Sequence, residues 1–313
     1  MRRGTILVAL VAVGALSLGV TAFQGQAGRA GQPPAPQTIT VDKLKDNLWV
    51  LKGGGGNTAV FVAADGVTVV DAKNPAWGQP ILTEIKKLTD KPVTRLINTH
   101  SHFDHTGGNV EFPPSVDIVM HDVTKANVER WALPTSIAQQ PDSPFKANPG
   151  KGLGKKTFKD KTSFGKGNDK VDVFFFGPGH TGGDTWVVFP ALRVAHSGDI
   201  FAGKNLPILD AANGGSGVAM PDTLTKAHDG LTRSGVDTVI TGHAQTTMTM
   251  ADLKQWAEFN RDFLNAVRDG KKAGKSVDDI AGSWKVPEKY TGYGTPQPPR
   301  IKSNVQVIFD EVK

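Results

Sequence analysis

A chain of 313 residues with no cysteine forms no disulfide and has no thiolate to offer, so any metal it holds must rest on histidine and carboxylate. Its hydrophobic content of 38% is that of an ordinary globular protein with a sizeable core. The formal net charge of +6 drops to +4 without Arg2 and Arg3, too small an excess to mark a nucleic-acid-binding protein by itself.

Arg2 and Arg3 precede fifteen largely apolar residues, 6–20, and small residues follow at Thr21, Ala22, Gly25 and Ala27. This is the layout of a secretory signal peptide over 1–27, cleaved after Ala22 or Ala27, and it predicts a periplasmic or secreted protein. Fifteen residues fall short of the roughly 20 that cross a bilayer, so no stable membrane span is expected after cleavage. Residues 28–37, rich in Gly, Pro and Gln, read as a flexible tether, and one domain is expected over 38–313.

From Thr38 the pattern is β. Short β-branched or aromatic runs at 38–41, 47–52, 57–63 and 67–71 are separated by turn signals such as Gly53 to Gly56 and Ala64-Asp65-Gly66, which predicts an antiparallel meander. A helix over 80–88 then leads to a strand at 93–98, and a strand at 116–121 to a helix at 123–131. Residues 133–167, loaded with Pro, Gly and Lys, show little periodicity and read as a long surface excursion. Eight lysines crowd 146–170 against Asp160 and Asp169, the composition of a solvated loop or, alternatively, of a patch that attracts an anionic substrate or phosphate-bearing surface. Strands return at 170–176, 185–189, 192–196 and 236–241, with a helix at 222–231. In the C-terminal helix, Thr249 and Asp252 form a capping pair, Leu253, Trp256, Ala257, Phe263, Leu264 and Val267 recur at helical spacing, and Gly270 is the expected stop. Such alternation signals layered α+β structure.

The chemistry concentrates where strands end. His100-x-His102-x-Asp104-His105 follows the strand ending near Asn98, and four ligand-type side chains within six residues are more than one tetrahedral zinc takes from a single loop. Two metal ions are the natural reading. His180 lies in the glycine-rich turn Gly177-Pro178-Gly179-His180-Thr181-Gly182-Gly183-Asp184, Asp199 follows His196-Ser197-Gly198, and His243 follows Thr241-Gly242.

The ordered set HxHxDH, GHT, GD and GH resembles the metallo-β-lactamase superfamily over about 38–243. The resemblance implies an αβ/βα four-layer sandwich with a dinuclear site at one edge of its two sheets. It implies that His100, His102 and His180 hold one Zn2+, that Asp104, His105 and His243 hold a second, and that Asp199 bridges them; other divalent metals suit the same ligands. Asp71 matches an acidic position of the family near the site and is expected to orient a ligand. Asp104 and Asp199 are the expected catalytic carboxylates. His102 stands where oxygen-reducing iron relatives tend to carry Glu, which favours zinc and hydrolysis. Asp199 stands where true β-lactamases of this fold typically carry Cys or Ser, so the chain resembles the glyoxalase II, lactonase and general hydrolase branches more closely.

The reaction implied is hydrolysis of an ester, thioester, lactone or amide carbonyl in a small molecule by a metal-activated water. The alternatives are β-lactam turnover, phosphodiester hydrolysis, and a metal-binding protein without catalysis; nucleic acid is not the expected partner. Lys204 and Asn213, on the loop after Asp199, are the candidates for substrate binding, Lys204 by meeting a substrate carboxylate. His121, His196 and His228 are expected to be ordinary hydrogen-bonded histidines.

Overall fold

The computed structural model describes residues 38–137 and 139–313; the expected signal peptide (1–27) and tether (28–37) lie outside the described residues. Four strands open the fold: β1 (Thr40–Lys45), β2 (Leu48–Lys52), β3 (Thr58–Ala63) and β4 (Gly66–Val70). They pair antiparallel in sequence order, with Val50 opposite Ala59 and Val60 opposite Val69. Helix α1 (Gly78–Leu88) then crosses to β5 (Val93–Ile97), and the one-turn helix α2 (Phe103–Thr106) precedes β6 (Asp117–His121). Helices α3 (Asp122–Arg130) and α4 (Pro144–Ala147) lead to β7 (Lys156–Phe158). Strands β4 to β7 are mutually parallel, which completes a seven-stranded mixed sheet.

The second sheet contains β8 (Lys161–Phe164), β9 (Val171–Phe175), β10 (Thr185–Phe189) and β11 (Val194–His196). Helix α5 (Met220–Arg233) precedes β12 (Thr238–Ile240) and the two-residue β13 (Met248–Thr249). These six strands lie in the order β13, β12, β11, β10, β9, β8. Helices α6 (Met250–Lys272), α7 (Val277–Ser283) and α8 (Pro298–Glu311) close the chain.

The strand period of two sorts side chains into layers. Leu48, Val50, Ala59, Phe61 and Val70 of the first sheet meet Val173, Val187, Phe189 and Ile240 of the second in one buried cluster between the sheets. Their neighbours Leu51, Val60, Val67 and Val69 turn outward onto Ile81 and Ile85 of α1. On the other side Trp186, Val188, Ala195 and Val239 pack on Leu224, Trp256, Phe263, Val305 and Ile308 from α5, α6 and α8. The architecture is the αβ/βα four-layer sandwich.

Two sequence expectations change. The stretch 133–167 is not a bare excursion: it contributes α4 and two edge strands, β7 to the first sheet and β8 to the second, joined through Lys159 and Asp160. Both strands are short and bury little beyond Phe158, so no apolar alternation announced them. Lysine at such edges discourages another chain from pairing there. Second, the reciprocal cap of Thr249 and Asp252 starts α6, but Gly270 does not end it. A side chain there would strike Ile280 of α7, so this glycine permits close helix packing, and Gly274, at φ 75°, takes the left-handed turn beyond the helix.

Candidate metal centre

The site lies at one edge of the sandwich, beyond strand ends contributed by both sheets. Asp71 follows β4, His100 to His105 follow β5, His180 lies between β9 and β10, Asp199 follows β11 and His243 follows β12. Backbone bonds tie the sheets together here: Thr185 N–H donates to Thr99 O at 2.7 Å and Asn57 N–H to Gly242 O at 2.7 Å. The turn carrying His180 is stapled by Asp184, which accepts from the Thr181 amide and, at 2.6 Å, from its hydroxyl. Burial raises the Asp184 carboxyl to about 7 against those hydrogen bonds.

All seven side chains named as ligands from the sequence meet at this edge, in two groups. His100, His102, His180 and Asp199 present one ligand atom each within 4.8 Å of one another, and Asp104, His105 and His243 form the second group. The first group is buried, whereas the His243 side chain is 41% exposed. Asp199 reaches both: its Oδ1 lies 3.3 Å from His105 Nε2, and its Oδ2 3.2 Å from His243 Nε2 and 3.9 Å from His180 Nε2. No side chain is tolerated at Gly242, where a Cβ would sit 1.7 Å from Asp199 Oδ1.

The rings are held from behind. His105 Nδ1 bonds Asp71 Oδ2 at 2.7 Å, His102 Nε2 bonds Asp210 Oδ2 at 2.8 Å, His180 Nδ1 bonds the Ile208 carbonyl at 2.7 Å, and His100 Nδ1 lies 3.0 Å from Thr99 Oγ1. Each contact leaves the other ring nitrogen facing the cluster. Asp71 also accepts from the Thr99 amide and hydroxyl, and holds a left-handed backbone at φ 65°. A non-glycine residue so placed costs on the order of 1 kcal/mol, offset by three hydrogen bonds to its buried carboxylate.

Charge divides along the same line. Burial lowers His100 well below the usual histidine range, helped by His105, His180 and His102, and lowers His180 to about 4, helped by His102. Both rings are therefore neutral, the form that ligates. Burial works in the same direction on His105 and His243, but carboxylates outweigh it: Asp199, Asp104 and Asp71 raise His105 well above its usual value, and Asp199 and Asp104 raise His243 to about 10. Burial would raise Asp104 and Asp199, yet the neighbouring histidines bring Asp104 down to about 2 and Asp199 well below the carboxylate range.

Eight buried side-chain atoms have no hydrogen-bond partner among the described residues, and two of them, His100 Nε2 and Asp199 Oδ1, belong to the ligand cluster. Unpartnered buried lone pairs converging with other N and O donors are what a divalent cation satisfies. The residues fit a pair of such ions.

Residues 51–244 match the model of the metallo-β-lactamase superfamily. The chain belongs to this superfamily. Over 174 residues it is 29% identical to the metallo-β-lactamase type 2 of Elizabethkingia meningoseptica, covering 52% of this chain and 62% of that one. Over 202 residues it is 26% identical to the hydroxyacylglutathione hydrolase of Nostoc punctiforme, covering 63% and 62%. The chain thus spans about three fifths of the length of these curated relatives. A solved metallo-β-lactamase from Pontibacter korlensis shares the fold with a TM-score of 0.57 at 19% identity, over 72% of this chain and 99% of that one. A sec-alkyl sulfatase double mutant does so with a TM-score of 0.67 at 15% identity, over 87% and 50%.

Against this superfamily frame, other sequence candidates fall elsewhere. Lys204 is not brought to the cluster; its ammonium pairs with Asp252 at 2.6 Å, at the start of α6. Asn213 is buried behind the site, donating to Asp210 at 2.6 Å and accepting from Arg130 at 3.0 Å. His121 caps α3 and bonds the Lys159 carbonyl, His196 bonds the Asn57 carbonyl and accepts from the Gly198 amide, and His228 lies beside Asp229. Sequence reasoning missed Asp210 and Lys73. Asp210 lies three residues before Asn213 and caps that short turn, the one local signal available; its partner His102 is 108 residues away. Lys73 is fully buried, lowered to about 7 by burial against the charges of Asp71 and Asp104. It donates to the carbonyls of Leu51 and Gly56, pinning the Gly53 to Gly56 turn beside His105.

Proposed function

We propose that this chain is an exported zinc hydrolase that uses two ions to cleave an ester, thioester, lactone or amide carbonyl in a small molecule. The observation that carries the reading is the pair of ligand groups, with Asp199 of the first lying 3.3 Å from His105 and 3.2 Å from His243 of the second, and a buried lone pair unpartnered on His100. Bound there, zinc supplies Lewis acidity, making water a nucleophile near neutral pH and stabilising charge on the carbonyl oxygen. The protein keeps His100 and His180 neutral by burial, and Asp71, Asp210 and the Ile208 carbonyl fix which ring nitrogens face inward. Asp104, ionised and on the more open side of the site, orients the attacking water and accepts its proton. Asp199 draws the two groups into one site. An Asp at this position, and the hydroxyacylglutathione hydrolase among the relatives, favour carbonyl substrates outside the β-lactams. The metallo-β-lactamase type 2 relative makes β-lactam turnover the second reading. Export rests on the leader-like residues 1–27.

The test is a panel of esters, thioesters, lactones and cephalosporins on the zinc-loaded chain and its His102→Ala variant. The expected result is turnover of one class, lost with zinc in the variant. Two bound ions with no turnover of any class would leave a metal-binding protein, and turnover confined to cephalosporins would make the chain a β-lactamase.

A further inference from the structure

The segment from Leu206 to Asn213 passes behind the buried half of the site and touches two of its histidines. The Ile208 carbonyl bonds His180 Nδ1 at 2.7 Å, and the Asp210 carboxylate bonds His102 Nε2 at 2.8 Å. The Asp210 amide also donates to the His180 carbonyl at 2.9 Å. Helices grip the segment at both ends. From α3, Asn127 donates to the Asn213 carbonyl at 2.8 Å and Arg130 to the Ala212 carbonyl at 2.7 Å. From α8, Arg300 donates to the Leu206 carbonyl at 3.4 Å, and one turn later Asn304 donates to the Pro207 carbonyl at 2.7 Å. Asn304 Oδ1 in turn accepts from the Leu209 amide at 3.3 Å.

Asn304 therefore brackets Ile208, with one bond to the residue before it and one to the residue after. Its amide orientation is fixed by chemistry, because the Pro207 carbonyl needs a donor and the Leu209 N–H needs an acceptor. The side chain is fully buried on a helix whose neighbouring Ile301, Val305 and Ile308 already pack into the core. A buried amide among them adds nothing to apolar docking and would be costly if its partners were lost.

We infer that Asn304 of α8, outside the region matched by the superfamily model, is a positioning residue that fixes His180 through the Ile208 carbonyl. The inference rests on the two-ion reading of the site. With the bracket intact, Ile208 O keeps the His180 Nδ1 proton in place and the ring's Nε2 toward His102 and Asp199. Without it, the ring loses its fixed orientation and the ion of the three-histidine group is held more weakly, while Asp104, His105 and His243 are untouched.

The test compares Asn304→Ala with Val305→Ala, a truncation on the same helix that makes no bond to the segment. Zinc affinity is measured by chelator competition, and exchange of the His180 Nδ1 proton by nitrogen-15 NMR of the metal-free chain. Asn304→Ala is expected to bind one of its two ions about 10–100-fold more weakly and to lose protection of that proton. Val305→Ala is expected to lower the melting temperature with both readouts unchanged. If Asn304→Ala does not fold, Asn304→Asp, which keeps the acceptor for Leu209 and loses the donor to Pro207, takes its place. Wild-type affinity for both ions and full protection in the Asn304 variant would overturn the inference. A wild-type chain that binds no divalent ion would instead overturn the two-ion reading, and proton exchange would still report on the bracket.

Discussion

His100, His102 and His180 are closed to solvent, while the group of Asp104, His105 and His243 opens to the rim through His243, 41% exposed, with His105 itself fully buried. The buried group is electrically quiet: desolvation strips His100 and His180 of their protons, and hydrogen bonds from behind set the rings. The rim group is a compact arrangement of charge in which three carboxylates hold His105 and His243 protonated. The two halves thus present similar donors at different electrostatic cost. A cation entering the first finds lone pairs ready, and one entering the second must displace protons.

The largest effect is expected where the halves meet. Asp199→Ala removes the residue shared by both groups, so zinc should fall below two per chain by elemental analysis and turnover should drop to background; two retained ions with wild-type turnover would sink the shared-ligand assignment. Next come the residues behind each half. Asp210→Ala should weaken the buried ion about 10–100-fold and Asp71→Ala the rim ion by a similar factor, each leaving the other ion in place, as chelator titration would resolve. Equal weakening of both ions by either substitution would erase the distinction drawn above.

Proton release sharpens the comparison further. His243 is raised to about 10, so the metal-free rim carries protons at neutral pH, and its ion affinity should climb about tenfold per pH unit for each proton displaced, up to that value. His100 is lowered well below the histidine range and His180 to about 4, so neither has a proton to displace above about pH 5 and neither should add pH dependence to ion binding at the buried half. Calorimetric titration in buffers of different ionisation enthalpy separates the two, and a pH-independent second ion would contradict this picture. The smallest effect belongs to Lys204→Ala, whose partly exposed pair with Asp252 should be worth less than about 1 kcal/mol by thermal melting, with ions and KM unchanged. A raised KM for a carboxylate-bearing substrate would restore Lys204 to substrate binding.

What could be read beforehand followed from how locally it is encoded. The meander, the helix with its Thr249–Asp252 cap and the ligand run from His100 to His105 all depend on neighbours within a few positions, and periodicity or motif exposes them. Strands β7 and β8 escaped because edge strands need one buried face at most and theirs is mostly threonine and lysine. Asp210 and Asn304 escaped for another reason: the groups that give them meaning lie 108 and 97 residues away, respectively, and one of those is a backbone carbonyl that carries no sequence signature. The ion pair of Lys204 had no local signal either, because its acid, Asp252, lies on a helix 48 residues further on.

The exposed lysines along β7 and β8, among them Lys155, Lys156, Lys159 and Lys161, also set a condition on how densely the protein can be packed. Paired strands sit about 4.8 Å apart, inside the screening length of about 8 Å at physiological ionic strength. Two copies approaching margin to margin therefore repel before their backbone groups can pair. In about 1 M salt that length contracts to about 3 Å, shorter than the strand spacing, and the barrier is gone. Light scattering should find the chain monodisperse when concentrated in dilute buffer and self-associating in strong salt.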